Sequence, residues 1–170
     1  CFALGSMPLF FNAISPSVVA ATFFGGSVLF TCASAVQYDE SRATPTSLGP
    51  GASRRPRFRR LLGASPEGLG WWAAAIQLVG TLLFNLSTFA ATQNTLDLQQ
   101  DRRLIWAPDL LGSGCFLLAS WFAFLEVNQG VRPRPDGSTG WRIAMLNLVG
   151  SVSFGAAAIA ARYLGTSGEP

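Results

Sequence analysis

Gly112-Ser113-Gly114-Cys115-Phe116-Leu117-Leu118-Ala119-Ser120-Trp121-Phe122-Ala123-Phe124-Leu125-Glu126 decides the fold. It is almost wholly apolar and holds no charge before its last residue. It is also not alone. Gly112-Ser113-x-x-Phe116-x-x-Ala119-Ser120-x5-Glu126 recurs as Gly26-Ser27-x-x-Phe30-x-x-Ala33-Ser34-x5-Glu40. A second pattern, Gly70-Trp71-x-x-Ala74-x-x-Gln77-Leu78-Val79-Gly80-Thr81-x-x-Phe84, recurs as Gly140-Trp141-x-x-Ala144-x-x-Asn147-Leu148-Val149-Gly150-Ser151-x-x-Phe154. Two kinds of apolar helix alternate, A (the second pattern) and B (the first).

The apolar runs Val18–Val36, Trp71–Thr92, Leu110–Val127 and Ile143–Ala161 are close to the roughly 20 residues needed to cross a bilayer. None carries a charge in its middle. Charged residues are 12% of the chain, about half the usual fraction. A fifth run, Phe2–Ile14, is too short to span; Leu4-Gly5-Ser6 and Leu9-Phe10 resemble the centre of an A helix, so it is read as the second half of one truncated at its N-terminal side. The predicted fold is an all-α multi-pass membrane bundle, A-B-A-B-A, built from parallel two-helix repeats. Its parts are a first two-helix unit over 1–38, an Arg/Pro/Gly-rich linker over 39–70, and a second unit over 71–128 containing a loop at 93–107. A linker at 129–140 and a final helix with its tail over 141–170 complete it.

All twelve basic residues are Arg, and His is absent. Nine of them, Arg42, Arg54, Arg55, Arg57, Arg59, Arg60, Arg132, Arg134 and Arg142, flank the two B-to-A linkers; Arg102, Arg103 and Arg162 lie on the other side. By the positive-inside rule both linkers are cytoplasmic. The expected location is the bacterial plasma membrane. Trp71, Trp72, Trp106, Trp141, Tyr38 and Tyr163 fall at predicted membrane edges, as an aromatic belt does. In the 93–107 loop, Asn94 or Thr95 is expected to cap a short helix whose Leu98, Ile105 and Trp106 rest on the bilayer surface, with Pro108 and Asp109 opening the next span.

The Gly-Ser-x-x-Phe signature on paired apolar helices resembles the YrhK-like family of small bacterial membrane proteins. The resemblance covers most of the chain outside the linkers, and the chain departs from a single-unit pattern by holding two and a half units. It implies an integral membrane protein and brings no catalytic residues with it.

Four sets of residues carry the functional expectations. The amides Asn12, Gln77, Asn85 and Asn147 lie inside apolar runs, where an unpaired amide is costly; interhelical hydrogen bonding and a polar permeation path are the two readings. Glu40 and Glu126 recur at the cytoplasmic ends of the B helices. A carboxylate there opposes the helix dipole, so each is expected to anchor to an Arg or to the start of the A helix that follows. Arg54, Arg55, Arg57, Arg59 and Arg60 form a basic cluster suited to anionic lipid headgroups, at about 1 kcal/mol per Arg, rather than to nucleic acid. The small residues around Gly26, Gly80, Gly112, Gly114 and Gly150, with Ser27, Ser34, Ser113, Ser120, Thr81 and Ser151, are expected to pack helix on helix.

Catalytic chemistry has little to draw on. There is no His, no mid-membrane carboxylate pair, no Cys-x-x-Cys and no phosphate loop. Cys1, Cys32 and Cys115 suggest neither a disulfide framework nor a metal site, and no cofactor is expected. A non-enzymatic scaffold or accessory subunit is the leading expectation, with a homo-oligomeric or membrane-complex partner. A small-solute or ion transporter lined by the buried amides is the alternative.

Overall fold

A computed structural model describes residues 1–43, 68–93, 95–128, 131–133, 135 and 137–164. Every described element is helical. In chain order they are α1 (Phe2–Gly5), α2 (Pro8–Ala13), α3 (Pro16–Ala43), α4 (Leu69–Ala90), α5 (Leu98–Asp101), a π turn (Arg102–Trp106), α6 (Ala107–Asn128) and α7 (Thr139–Leu164). Four helical stretches are long and apolar enough to span a bilayer: Pro16–Ser41, Leu69–Ala90, Leu98–Asn128 and Thr139–Ala160. The chain is a multi-pass, all-α membrane protein.

α4 and α6 form the central pair, α3 flanks α4, and α7 flanks α6. Cross-helix partners fix the directions. Ser27 meets Thr88 and Ser34 meets Gln77, so α3 and α4 are antiparallel. Ser120 meets Ser151 and Trp106 meets Ala158, so α6 and α7 are antiparallel as well.

Hydropathy is arranged inside out. The most deeply buried side chains include Ser27, Ser34, Thr81 and Ser113, together with Phe124. Leu29, Leu111, Leu146 and Val149 point outwards. In water such a surface would drive aggregation. In a bilayer, lipid solvates it, and close packing with interhelical hydrogen bonds holds the bundle. The four phenylalanines of the recurring patterns converge near its centre: Phe84 lies 5.2 Å from Phe154 and 6.4 Å from Phe116, and Phe116 lies 5.5 Å from Phe30 and 5.7 Å from Phe154 between ring centroids. Their tilted and edge-on geometries are those that aromatic quadrupoles favour.

Several local expectations change. The Phe2–Ile14 run is not one half-helix but two short ones, broken at Met7 (φ −73°, ψ 128°). Met7 precedes Pro8, whose ring excludes the helical conformation from the residue before it. α1 and α2 fold back on α3. The 93–107 loop is half helical. The cap is Asp97, not Asn94 or Thr95: Asp97 Oδ1 accepts from the Gln100 N–H at 2.8 Å, and Gln100 Oε1 accepts from the Asp97 N–H at 3.1 Å. That reciprocal pair is a capping box. Pro108 and Asp109 lie in the first turn of α6, as expected, but what precedes them is helical as well, continuous from Leu98. The π turn falls immediately before Pro108, with the Ala107 N–H bonded to the Arg102 carbonyl. Pro108 cannot donate to the turn below it, and a widened turn makes room for its ring. Asn94 lies outside the described residues.

Candidate functional site

The membrane-embedded polar groups are the candidate site. Gln77, on α4, reaches across to α3. Its Nε2 donates to Gln37 Oε1 at 3.0 Å and lies 3.4 Å from Ser34 Oγ. Asn85, two turns further along α4, donates from Nδ2 to Thr31 Oγ1 at 2.8 Å. Its Oδ1 is buried and accepts no hydrogen bond among the described residues. Ser27 and Thr88 share a 2.8 Å hydrogen bond in which one hydroxyl donates to the other, and the accepting one donates back along its own helix, Ser27 to Phe24 O or Thr88 to Phe84 O. The α3–α4 seam is thus a polar ladder, and Tyr38 closes it against Trp71 with ring centroids 5.9 Å apart.

The α6–α7 seam is thinner. Ser120 and Ser151 share a 2.6 Å hydrogen bond. Trp106 Nε1 donates to the Ala158 carbonyl at 3.2 Å near one end, and Trp141 Nε1 donates to Asn128 Oδ1 at 3.3 Å near the other. Asn128 also donates to the Arg132 carbonyl at 2.7 Å, which ties the end of α6 to the turn beyond it. Ser138 caps α7 by accepting from the Trp141 N–H at 3.1 Å. Sequence reading passed over Asn128 and Gln37; both lie where an apolar run gives way to polar residues, which was the available signal.

Among the described side chains, the predicted amides Gln77, Asn85 and Asn147 are therefore not brought together. Gln77 and Asn85 bond to α3 at separate levels. Asn147 is exposed on α7 and meets no partner among the described residues. Gln77 bonds chiefly to Gln37, whose place in the second B pattern is taken by Ala123, and the hydroxyl of Ser120, in the place of Ser34, is bonded to Ser151. The Asn12 side chain lies outside the described residues, as do Arg54, Arg55, Arg57, Arg59 and Arg60.

The small-residue faces divide into tight and open positions. A methyl group built on Gly80 would lie 2.9 Å from Cys115 Cβ and from a Phe116 ring carbon; one built on Gly112 would lie 3.1 Å from the Gly80 carbonyl oxygen. At Gly80 and Gly112, α4 and α6 are in close contact. Gly25, Gly114 and Gly150 have open space at the same test. Gly114 instead floors an apolar groove with Leu117, Leu118, Trp121 and Leu148. Trp121 stacks on Phe124 at 5.9 Å.

Glu40 is exposed within the last turns of α3, which continues to Ala43. Glu126 lies against Gly70 in the first turn of α4. This corrects the expectation of an anchor on the helix that follows: α6 packs most extensively on the helix before it. Antiparallel packing sets the C-terminal end of α6 beside the N-terminal end of α4. No group of three or more metal-ligating side chains occurs among the described residues. Comparison with protein families, curated proteins and solved structures finds no match for this chain.

Proposed function

We propose that this protein is a non-enzymatic structural or accessory subunit of the bacterial plasma membrane, built from repeated two-helix units of the YrhK-like kind. One observation carries the reading. The polar side chains within the spans are committed separately and at different depths, Gln77 to Gln37, Asn85 to Thr31, Ser27 to Thr88 and Ser120 to Ser151. A solute path needs polar groups facing a common aqueous lumen; these groups are interhelical fasteners. The recurrence of Phe30 with Phe116 and of Phe84 with Phe154 at one packing centre supports the repeat.

Both Arg-rich linkers face the cytoplasm, and the 39–70 segment meets anionic headgroups there. The arginine asymmetry supports this orientation. Labelling of single cysteines in a Cys-free background tests it: Gln99→Cys is modified from outside intact cells and Ser53→Cys is not. The reverse pattern overturns the orientation.

The transport alternative draws on the unsatisfied Asn85 Oδ1. Liposome flux separates the two. The structural reading expects no selective solute movement beyond that of protein-free vesicles. Selective flux abolished by Gln77→Leu with Asn85→Leu overturns it. Purification in mild detergent is expected to retain a stable membrane partner or a homo-oligomer.

A further inference from the structure

We infer that the Asp109 carboxylate and the Ser87 hydroxyl hold a monovalent cation between α4 and α6, at the end of the bundle that carries Trp106. The inference goes beyond the structural-subunit reading and stands or falls apart from it.

Packing sets the two residues at one level. A methyl group on Gly112 would lie 3.6 Å from Leu83 Cβ and 3.7 Å from the Phe84 nitrogen, while one on Gly80 would meet Cys115 and Phe116. α4 and α6 are therefore antiparallel. One turn beyond this contact, α4 presents Ser87, four residues after Leu83 and three after Phe84. On α6 the same step leads back to Asp109, three residues before Gly112. Residues three and four apart share a helix face, so Ser87 and Asp109 continue the two faces that already touch.

Both groups lack partners. Ser87 is only 4% exposed, and its hydroxyl has no hydrogen bond among the described residues. The buried hydroxyls of Ser27, Thr81, Thr88, Ser113 and Ser120 are all bonded. The Asp109 side chain is partly buried and makes neither a hydrogen bond nor an ion pair among the described residues. Only its backbone carbonyl is engaged, by Ser113 Oγ at 2.8 Å. A carboxylate inside a membrane bundle is costly unless something answers its charge. α4 has no charged residue, and α3 has none before Asp39. Asp101, Arg102 and Arg103, on the turns above, are exposed. The Arg162 side chain lies outside the described residues.

The backbone supplies a third oxygen. Pro108 is buried, follows the π turn and has no N–H. One helical hydrogen bond is missing there, so a carbonyl of the turn above Asp109 lacks that donor. Irregular helix with freed carbonyls is how membrane bundles coordinate small cations. A single carboxylate with a hydroxyl and a peptide carbonyl is a hard oxygen set of one negative charge. Sodium or potassium suits it. Calcium draws on more carboxylate oxygens, and transition metals favour nitrogen or sulfur. Asp109 is about 4.5 Å along the helix from Trp106, so an ion reaches it from the water at that end.

The test uses the full chain purified in detergent, with choline chloride holding ionic strength constant. Equilibrium dialysis with radioactive sodium is expected to find one saturable site per chain, and the melting midpoint to rise as that site fills. Asp109→Asn should abolish the binding, and Ser87→Ala should weaken it about tenfold. Ser153→Ala, which removes an exposed hydroxyl on α7, should leave it unchanged. If Asp109→Asn does not fold, Ser87→Ala decides alone. Absence of saturable sodium or potassium binding, binding indifferent to Asp109→Asn or to Ser87→Ala, equal stabilisation by choline, or binding of calcium without sodium overturns the inference. So does a coupling between Asp109→Asn and Arg162→Gln in melting that is the same with and without sodium, which would make the guanidinium the partner of the carboxylate.

Discussion

The Glu126 carboxylate lies against Gly70: a methyl group on Gly70 would stand 2.7 Å from Oε2 and 2.9 Å from Oε1. A negative charge at the last turn of its own helix is unfavourable, but here it also sits at the first turn of α4, where free N–H groups and the positive end of the dipole lie. Gly70 makes the approach sterically open. The relation predicts that Glu126→Gln costs roughly 0.3–1 kcal/mol in detergent unfolding, and that the loss shrinks as salt is raised. Gly70→Ala should displace the carboxylate and cost a similar amount, with little further loss when combined with Glu126→Gln. Additive losses would show that the two residues act separately.

The glycines of α6 differ by what faces them. Gly112→Ala presses a methyl group on the Gly80 carbonyl, part of a backbone that cannot swing aside, and should destabilise by about 1–3 kcal/mol. Gly114→Ala, two residues away, meets open space and should be neutral within about 0.5 kcal/mol. Thermal melting of both variants in one detergent checks the contrast.

Buried hydroxyl pairs fasten the outer helices to the central pair. Double-mutant cycles with Ser27→Ala and Thr88→Val, and with Ser120→Ala and Ser151→Ala, should each give a coupling of about 0.6 kcal/mol, below about 1.7 kcal/mol. Coupling near zero in both cycles would assign the seams to van der Waals packing alone.

Asn85 holds one hydrogen bond and one unsatisfied oxygen. Replacement by the similarly shaped Leu removes both, so the gain offsets much of the loss. Asn85→Leu should change stability by less than about 1 kcal/mol, whereas Thr31→Val, which strands the amide nitrogen as well, should cost more. The unfolding midpoints of the two variants decide the order.

The number and placement of the spans were legible because uncharged apolar runs of bilayer length have few alternatives. Register was not. Gly112 and Gly114 look alike in sequence, and only helix rotation makes one tight and the other open. Glu126 was matched to the next helix because chain order offers nearest neighbours, while the Gly80–Gly112 approach draws α6 on to the preceding one. The capping box at Asp97 and Gln100 was readable from its spacing but was obscured by polar Asn94 and Thr95 just before it. The amides were identifiable as embedded polar groups, yet their partners were not: Gln77 finds Gln37 on α3, while the second B pattern holds Ala123 at that place.

The inside-out arrangement has a consequence for engineering. Since the interior is held by hydroxyls, glycines and ring edges, while the large aliphatic side chains such as Leu29, Leu86, Leu111, Leu146 and Val149 look outwards, the two sets are separable. Exchanging the outward set for Glu, Lys and Gln leaves every internal fastener in place and yields a candidate detergent-free analogue. How far that analogue keeps its helices together in buffer would measure how much of the bundle's cohesion belongs to the seams and how much is lent by the bilayer.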